Sequence, residues 1–230
     1  MPLPPDLLNE HFNNLTSWTD ADIDTAVSEI DPAGQLRLDT NLGAAGNAIA
    51  SRIRTITSPP DKFTIEFKAY CDDIGTRADA DFLQVRYDTA TWRIQVSLAT
   101  DGFFVYKTGG GNTEVGTNIV SEGVWQTWRL EVDKSGGEAS ATVEVFLNGI
   151  SKGTVDCDYE IAGTDGRVWL RQFGYTTNNM VSHIDYIQIA TGLGEISQDI
   201  SKINGIDILS ISKINGVDIS AILKINGVYI

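Results

Sequence analysis

Apolar and polar residues alternate with a period of two along most of this 230-residue chain. The alternating segments are residues 36–38, 52–56, 64–70, 82–87, 91–98, 103–108, 125–133, 141–147, 168–173 and 183–190. A period of two is typical of β-strands, whose side chains point in turn to opposite faces of a sheet. Turn residues separate the segments at intervals of about 8 to 12 residues, as in sandwiches and barrels. No window has the spacing of a long amphipathic helix, so the sequence predicts an all-β fold.

The C-terminal end has a different pattern, a Lys-Ile-Asn-Gly unit that occurs three times with a period of eleven residues. Asn-Gly between aliphatic residues favours a two-residue hairpin turn, because both turn positions need a positive φ. Such a turn places Ile203 opposite Ile206, and Lys202 opposite Asp207. Each predicted hairpin therefore has an aliphatic side, which the three copies form from Ile203, Ile206, Ile214, Val217, Ile225 and Val228.

These patterns divide the chain into a sandwich over residues 1–192 and a repeat region over residues 193–230, joined by a Gly-Leu-Gly linker. Isolated hairpins are only marginally stable in water, so their aliphatic sides need a cover. The sandwich is one candidate cover, and a neighbouring subunit or another protein is the other. The linker favours the second, so we expect the repeats to anchor the chain or to form a homo-oligomer.

The charge of the chain limits the classes of partner that it can bind. With 31 acidic and 17 basic residues, the net charge is −14. No excess of Lys and Arg is left to neutralise phosphates, so we do not expect nucleic-acid binding. We also expect no membrane insertion, because no apolar run is long enough to span a membrane. We expect no secretory signal, because no basic segment followed by an apolar run occurs at the N-terminus. The two cysteines, Cys71 and Cys157, are too few for a disulfide scaffold and are either buried thiols or one bridge.

Five segments carry a further signal through their order: residues 12–18, 34–38, 125–132, 141–149 and 184–189. In this order they resemble strands of the concanavalin A-like lectin/glucanase family, including its laminin-G-like branches. The resemblance extends over residues 8–192. It implies an antiparallel two-sheet jelly-roll sandwich with one concave sheet, which the short β-hairpin repeats then follow.

The catalytic motif of the hydrolases in that family is missing. Those members carry Glu-x-Asp-x-x-Glu on one strand, which places the carboxylates on one face beside the glycosidic bond. Here Glu66 and Glu144 each stand alone in their segments, whereas Glu131 and Asp133 share a face without a third acid in the sequence. No nucleophile motif accompanies either histidine. We therefore expect that the chain is not an enzyme and requires no cofactor.

Glycan binding is the other activity that the resemblance implies. Alternation assigns Trp92 to the core and Arg93 to the exposed face. The candidate sugar-binding residues are Arg86, Arg93, Gln95, Tyr106 and Arg171, with Tyr87 and Tyr175 as further aromatic candidates. The alternative is that these strand arginines only increase solubility.

The resemblance also allows a structural Ca²⁺ ion between the first and last strands. The matching residues are Glu10 and Asp185, whose carboxylate oxygens suit this cation. The alternative is that Asp185 simply forms a hydrogen bond across this pair of strands.

Lys-Ile-Asn-Gly repeats after a lectin-like domain resemble the ends of phage structural proteins. Together with the lack of a secretory pattern, this gives the first hypothesis: a virion component assembled in the host cytoplasm, such as a capsid decoration, head-fibre or tail-associated protein. Its partners would be other virion proteins or further copies of itself, and a glycan. The alternatives are a free carbohydrate-binding module or lectin, and a glycan lyase or hydrolase with unfamiliar residues.

Overall fold

Strands follow the alternating segments in the computed structural model of the chain. It describes residues 2–41, 48–57, 60–76, 82–89, 91–160, 166–174 and 179–196, and beyond them the backbone of six two-residue strands. Two short 3-10 turns are the only helical elements of this described part. Within it, no helix is long and apolar enough to cross a membrane.

The long strands, numbered in chain order, form two antiparallel sheets. Sheet I has the order β13-β12-β11-β6-β16-β4-β3, with β1 beside β16. Its strands are β1 (Leu8–Glu10), β3 (Val27–Ile30), β4 (Leu36–Asp39), β6 (Lys62–Asp73), β11 (Trp125–Asp133), β12 (Thr142–Leu147), β13 (Ile150–Asp156) and β16 (Val181–Thr191).

Sheet II has the order β10-β9-β8-β7-β15-β5-β2, with β14 beside β8. Its strands are β2 (Thr19–Asp20), β5 (Ala48–Thr55), β7 (Leu83–Asp88), β8 (Trp92–Ala99), β9 (Gly102–Tyr106), β10 (Asn112–Thr117), β14 (Tyr159–Glu160) and β15 (Arg167–Gly174).

The core lies between the two sheets and is built from alternate residues of each strand. Phe63 of β6 meets Trp92 of β8 edge to face, with ring centroids 6.3 Å apart, and Trp128 of β11 stacks on Phe103 of β9 at 4.6 Å. Trp92 is fully buried, as the alternation predicts. Each such side chain contributes roughly 1.5–3 kcal/mol through its burial. The predicted all-β, two-sheet jelly-roll sandwich is therefore confirmed.

The turn predicted from Asn148 and Gly149 is also confirmed. Asn148 and Gly149 join β12 to β13 with φ values of 50° and 80°, as a two-residue hairpin turn requires. Strand β13 itself was not among the predicted segments, because it is an edge strand whose side chains are mostly exposed and do not alternate. The apolar pattern that marks the other strands arises from burial, and β13 lacks it.

The repeat region forms three separate two-stranded ladders: β17 (Lys202–Ile203) with β18 (Ile206–Asp207), β19 (Lys213–Ile214) with β20 (Val217–Asp218), and β21 (Lys224–Ile225) with β22 (Val228–Tyr229). Ile203 pairs with Ile206, and Lys202 with Asp207, so the predicted register is confirmed. The Asn-Gly turns lie outside the described residues. What covers the aliphatic side of each hairpin stays a prediction.

The segment after β16 keeps contact with the sandwich as far as Ile196. Leu3 donates its backbone N–H to the carbonyl of Glu195 at 2.6 Å and forms a bridge with Ile196. Ile196 is 5% exposed. A truncation that removes only the repeats should therefore retain residues up to 196.

Both cysteines are buried and neither is bonded to the other. Of the two interpretations, the structure thus shows buried thiols. Burial raises the pKa of the Cys71 thiol to about 12, and it raises the pKa of Cys157 as well. A protonated thiol is a poor nucleophile, so both cysteines are chemically protected in the fold.

We expect the folded protein to resist alkylation by iodoacetamide at Cys71 and Cys157, because the reactive thiolate is suppressed at both positions. The same reagent should modify both residues after unfolding in guanidinium chloride. Mass spectrometry of the intact protein and of its peptides measures this difference. Rapid labelling of either cysteine in the folded state would contradict the burial described here.

Candidate functional site

Three neighbouring strands of sheet II turn a row of polar side chains away from the core. In β8, burial of Trp92, Ile94, Val96 and Leu98 forces the residues between them onto the outer side. Strands β7 and β15 lie beside β8 in matching register. We call the outward side chains of these strands the arginine face: Gln84, Arg86, Asp88, Arg93, Gln95, Ser97, Arg167, Trp169 and Arg171.

Trp169 lies at the centre of this face with three guanidinium groups around it. The Cζ atoms of Arg86, Arg167 and Arg171 are 4.6, 5.2 and 5.2 Å from the centre of its ring. Cation–π attraction of this kind contributes about 0.5–2 kcal/mol per pair, more as the pair is desolvated. The indole therefore holds the three guanidinium groups in place.

Asp88 provides the carboxylate of the face and is fully buried. Arg86 donates through Nε to Asp88 Oδ1 at 2.7 Å and also bonds Oδ2 through Nη2. Arg93 donates from Nε to the same Oδ1 at 2.7 Å. Two guanidinium groups thus share one carboxylate. The Arg93 guanidinium lies 5.3 Å from the ring centre of Tyr159, which covers it from β14.

Several polar atoms of this region are buried without a hydrogen-bond partner in the described structure. They are Gln84 Oε1, Ser51 Oγ, Trp169 Nε1 and Arg167 Nε. Gln84 and Ser51 flank Arg171 from the two neighbouring strands. Leaving a buried polar group unsatisfied costs about 1–3 kcal/mol.

One end of the face is apolar. Phe82 and Phe173 stack there with ring centroids 4.8 Å apart, beside Ile49, Ala99 and Phe104. The guanidinium of Arg171 lies 4.5 Å from the Phe173 ring centre and so connects this cluster to the polar part. The arginine face therefore changes from charged to apolar along the strands.

The structure brings the five predicted sugar-binding residues to one side of sheet II. Arg86, Arg93, Gln95 and Arg171 lie on the arginine face, and Tyr106 lies on the adjacent strand β9, with its hydroxyl 3.4 Å from Ser97 Oγ. Their role stays a prediction. Arg93 and Gln95 are each only 8% exposed, so the expectation of an open solvent face is wrong for them. Bonding to Asp88 and cover by Tyr159 explain this for Arg93.

Tyr87, another aromatic candidate, is not part of the face. Tyr87 is 1% exposed and points into the core, opposite to its neighbour Arg86. Tyr175 lies outside the described residues. The aromatic residue that does lie on the face, Trp169, has a signal in the sequence: it alternates with the core residues Val168 and Leu170, as Arg93 alternates with Trp92 and Ile94.

The two residues predicted to hold Ca²⁺ lie on the adjacent strands β1 and β16, and each is bonded to a different cation. Glu10 bonds to Arg54 of sheet II and accepts from Trp18 Nε1 at 3.0 Å. Asp185 instead accepts from Lys68 Nζ at 2.7 Å, and this bond joins β16 to β6 and not to the first strand. Among the described residues, no group of three or more His, Cys, Asp and Glu side chains is arranged for a metal. Ca²⁺ binding stays a prediction.

Glu131 differs from its expected surroundings. Across the β11–β12 pairing it lies directly opposite Glu144, so a third acid does stand beside the Glu131 and Asp133 pair. Partial burial raises the pKa of Glu131, and Glu144 raises it further, against the opposing effect of Arg129, which bonds Glu131 Oε1 at 3.0 Å. The sequence could not show this neighbour, because strand register decides it. The carboxyl groups lie on sheet I, away from the arginine face.

Sheet I also carries a shallow cleft of about 250 Å³ lined by Pro32, Gln35, Tyr70, Trp125 and His183. The Tyr70 and Trp125 ring centroids are 5.4 Å apart, and Lys68 Nζ lies 5.1 Å from the Trp125 ring centre. The cleft is thus aromatic, and the lysine beside its Trp125 ring is paired with Asp185. It has no counterpart to the guanidinium cluster of sheet II.

No protein-family model matches the sequence, and neither does any curated protein. Solved structures do share the fold, and three of them illustrate the similarity.

An endo-1,3-β-glucanase from Streptomyces sioyaensis matches with a TM-score of 0.56 and 14% identity, over 84% of this chain and 99% of the enzyme. A structure from a study of endo-acting O-glycanases of the human gut microbiota, which initiate mucin breakdown, matches with a TM-score of 0.57 and 9% identity, over 80% and 98%. The carbohydrate recognition domain of Emp46p matches with a TM-score of 0.52 and 12% identity, over 81% and 94%.

These matches confirm the concanavalin A-like lectin/glucanase sandwich at the level of the fold. They also correct one prediction. The statement that the chain is not an enzyme is wrong as drawn from a missing motif, because the fold is shared with a glucanase and with a structure from the O-glycanase study. A single absent motif therefore does not separate binding domains of this architecture from catalytic ones.

We expect Asp88→Asn to destabilise the protein by about 3 kcal/mol, since it leaves two largely buried guanidinium groups without their shared counter-charge. Thermal and chemical unfolding of the two proteins measure this difference. The matched control is Glu29→Gln, which removes an exposed carboxylate beside Arg37 and should cost less than about 1 kcal/mol. Equal effects of the two substitutions would show that Asp88 does not hold the face together.

Proposed function

We propose that the chain is a carbohydrate-binding domain whose ligand lies on the arginine face. The observation that carries this proposal is the clustering of four arginines on one side of three adjacent strands, each stacked against an aromatic ring. The shared fold with a carbohydrate recognition domain and a glucanase supports the same function.

The geometry of the guanidinium groups supports ligand binding over simple solubility. A guanidinium stacked on a ring uses its flat face and keeps its N–H edge for hydrogen bonds in a fixed plane. Solubilising arginines need no such support, and they are mobile and hydrated. Arg86 and Arg93 have side chains that are only 12% and 9% exposed, which is expensive for groups that serve only as surface charge.

The dimensions also suit an oligosaccharide. Adjacent strands lie about 4.8 Å apart, so the distance from β15 through β7 and β8 to β9 is about 14 Å. Donors and acceptors are distributed over this width, with the amides of Gln84 and Gln95 between the arginines and the hydroxyl of Tyr106. A short oligosaccharide lying across the strands would contact the partly exposed side chains along this width, Arg86, Arg171 and Tyr106.

We further propose that the repeat region anchors this domain in an assembly, as a displayed component of a virion made in the host cytoplasm. Three hairpins in the predicted register support the proposal, since each presents an aliphatic pair beside its turn. A second copy of the chain or another virion protein would cover these pairs. A freely diffusing lectin is the alternative, but such a protein would not need three hairpins for anchoring.

We expect Trp169→Ala to weaken glycan binding at least tenfold, because three guanidinium groups lose the ring that holds them. A glycan array followed by affinity electrophoresis on the best ligand measures this loss, and the same samples are assayed for released sugar to detect turnover. The matched control is Trp125→Ala in the cleft of sheet I, which should bind normally. Equal loss in both variants, or no glycan bound at all by the folded protein, would refute the proposed site.

We expect a chain ending at Ile196 to retain the thermal midpoint of the full chain but to lose its assembly. Light scattering after size-exclusion chromatography measures the mass of each protein. The control is the double variant Lys213→Gln with Asp218→Asn, which removes one oppositely charged cross-strand pair, worth about 0.2–1 kcal/mol, and leaves the aliphatic residues intact. Assembly by the truncated chain would exclude the repeats as the anchor.

A further inference from the structure

The arginine face is positively charged although the chain as a whole is strongly acidic. Its three strands direct four arginines and one carboxylate outward, an excess of three positive charges among the described residues. The complete sequence carries a net charge of −14. A local excess of this kind is not explained by solubility, for which the acidic residues elsewhere are sufficient.

We propose that the ligand of this face is an anionic polysaccharide, whose carboxylate or sulfate groups are bound by the edges of Arg167 and Arg171 beside Trp169. This inference rests on the proposed glycan-binding function and names its substrate class. Arg167 forms no ion pair with any described residue, and its guanidinium is held against Trp169 instead. Both anions accept paired hydrogen bonds from a guanidinium edge, which makes arginine the suitable residue for either.

The position of Trp169 excludes the usual alternative, recognition of a neutral sugar by ring stacking. A sugar can stack on an indole only if the ring surface is open. Here three guanidinium groups lie within 5.2 Å of the ring centre, and Trp169 is only partly exposed. The ring therefore positions cations, and the contacts offered to a ligand are charge-assisted hydrogen bonds.

A nucleic acid is a poorer ligand for the same charges. Double-stranded DNA carries one negative charge for about every 1.7 Å of its axis, and its binding needs an extended basic surface. The basic surface of this chain is about three strands wide and the rest of the molecule repels polyanions. A polysaccharide spaces its acid groups sugar by sugar, so a few of them can lie on the face while the repulsion from more distant acidic residues is screened within about 8 Å.

The test uses the full chain and pairs of polymers that differ only in charge. Polygalacturonate and its fully methyl-esterified form compare a carboxylate ligand with a neutral one, and dextran sulfate and dextran do the same for sulfate. We expect affinity electrophoresis to show binding to one or both charged polymers that is at least tenfold tighter than to the neutral partner, and weaker at high salt. The comparison of the two charged polymers identifies the acid group.

Variants locate the binding on this face. Arg167→Gln should weaken binding to the charged polymer about tenfold, whereas Arg167→Lys should retain part of it, because the charge remains and the stacked planar edge is lost. Arg37→Gln on sheet I is the matched control and should bind like the unaltered protein. Thermal unfolding shows whether each variant is folded. If the Arg167→Gln protein does not fold, the Arg167→Lys protein still tests the site.

The possible failures are distinguishable. Equal binding to charged and neutral polymers, independent of salt, would overturn the anionic ligand and leave the proposed function intact. Absence of binding to any glycan by the folded protein would overturn both. Tighter binding to a DNA duplex than to either charged polymer would overturn the polysaccharide as the ligand class, and so would an Arg37→Gln effect as large as that of Arg167→Gln.

Discussion

Packing of one side of β8 into the core is the constraint from which the arginine face follows. Because successive residues of a strand point to opposite faces, packing Trp92 and Ile94 into the core leaves Arg93 and Gln95 on the outer side. Strands β7 and β15 obey the same constraint in matching register. The core and the candidate site are thus two sides of the same three strands, and a shift of register by one residue would exchange them.

Features that depend on alternation and on turn residues can be predicted from the sequence. Features that depend on which residues become neighbours across strands cannot. The two-sheet fold, the core position of Trp92 and the pairing of Ile203 with Ile206 follow from local patterns. Strand order does not follow from them. It brings Trp169 beside Arg86, which is far away in the chain. The register of β11 with β12, which local patterns do not determine either, places Glu144 opposite Glu131. The edge strand β13 is not predicted, because most of its side chains are exposed and do not alternate.

On the arginine face, the residues that hold the guanidinium groups in place differ in whether they also neutralise their charge. Asp88 binds Arg86 and Arg93 and so serves mainly to hold them. Trp169 performs the same task for Arg167 without neutralising its charge. A carboxylate in place of the indole would fix these guanidinium groups equally well, but it would cancel the attraction for an acidic ligand. Aromatic support is therefore the arrangement that keeps cations both ordered and available.

The contact of Leu3 with Ile196 also has a mechanical meaning. The last described residue of the sandwich is tied to its first segment beside sheet I, whereas the arginine face is the outer side of sheet II. If a ligand pulls on that face while the repeats are fixed, the load passes through the thickness of the sandwich. It then acts on the interlocked side chains of the core together, and not on the hydrogen bonds of one edge strand in turn. Such a domain can bear tension without unzipping from an edge.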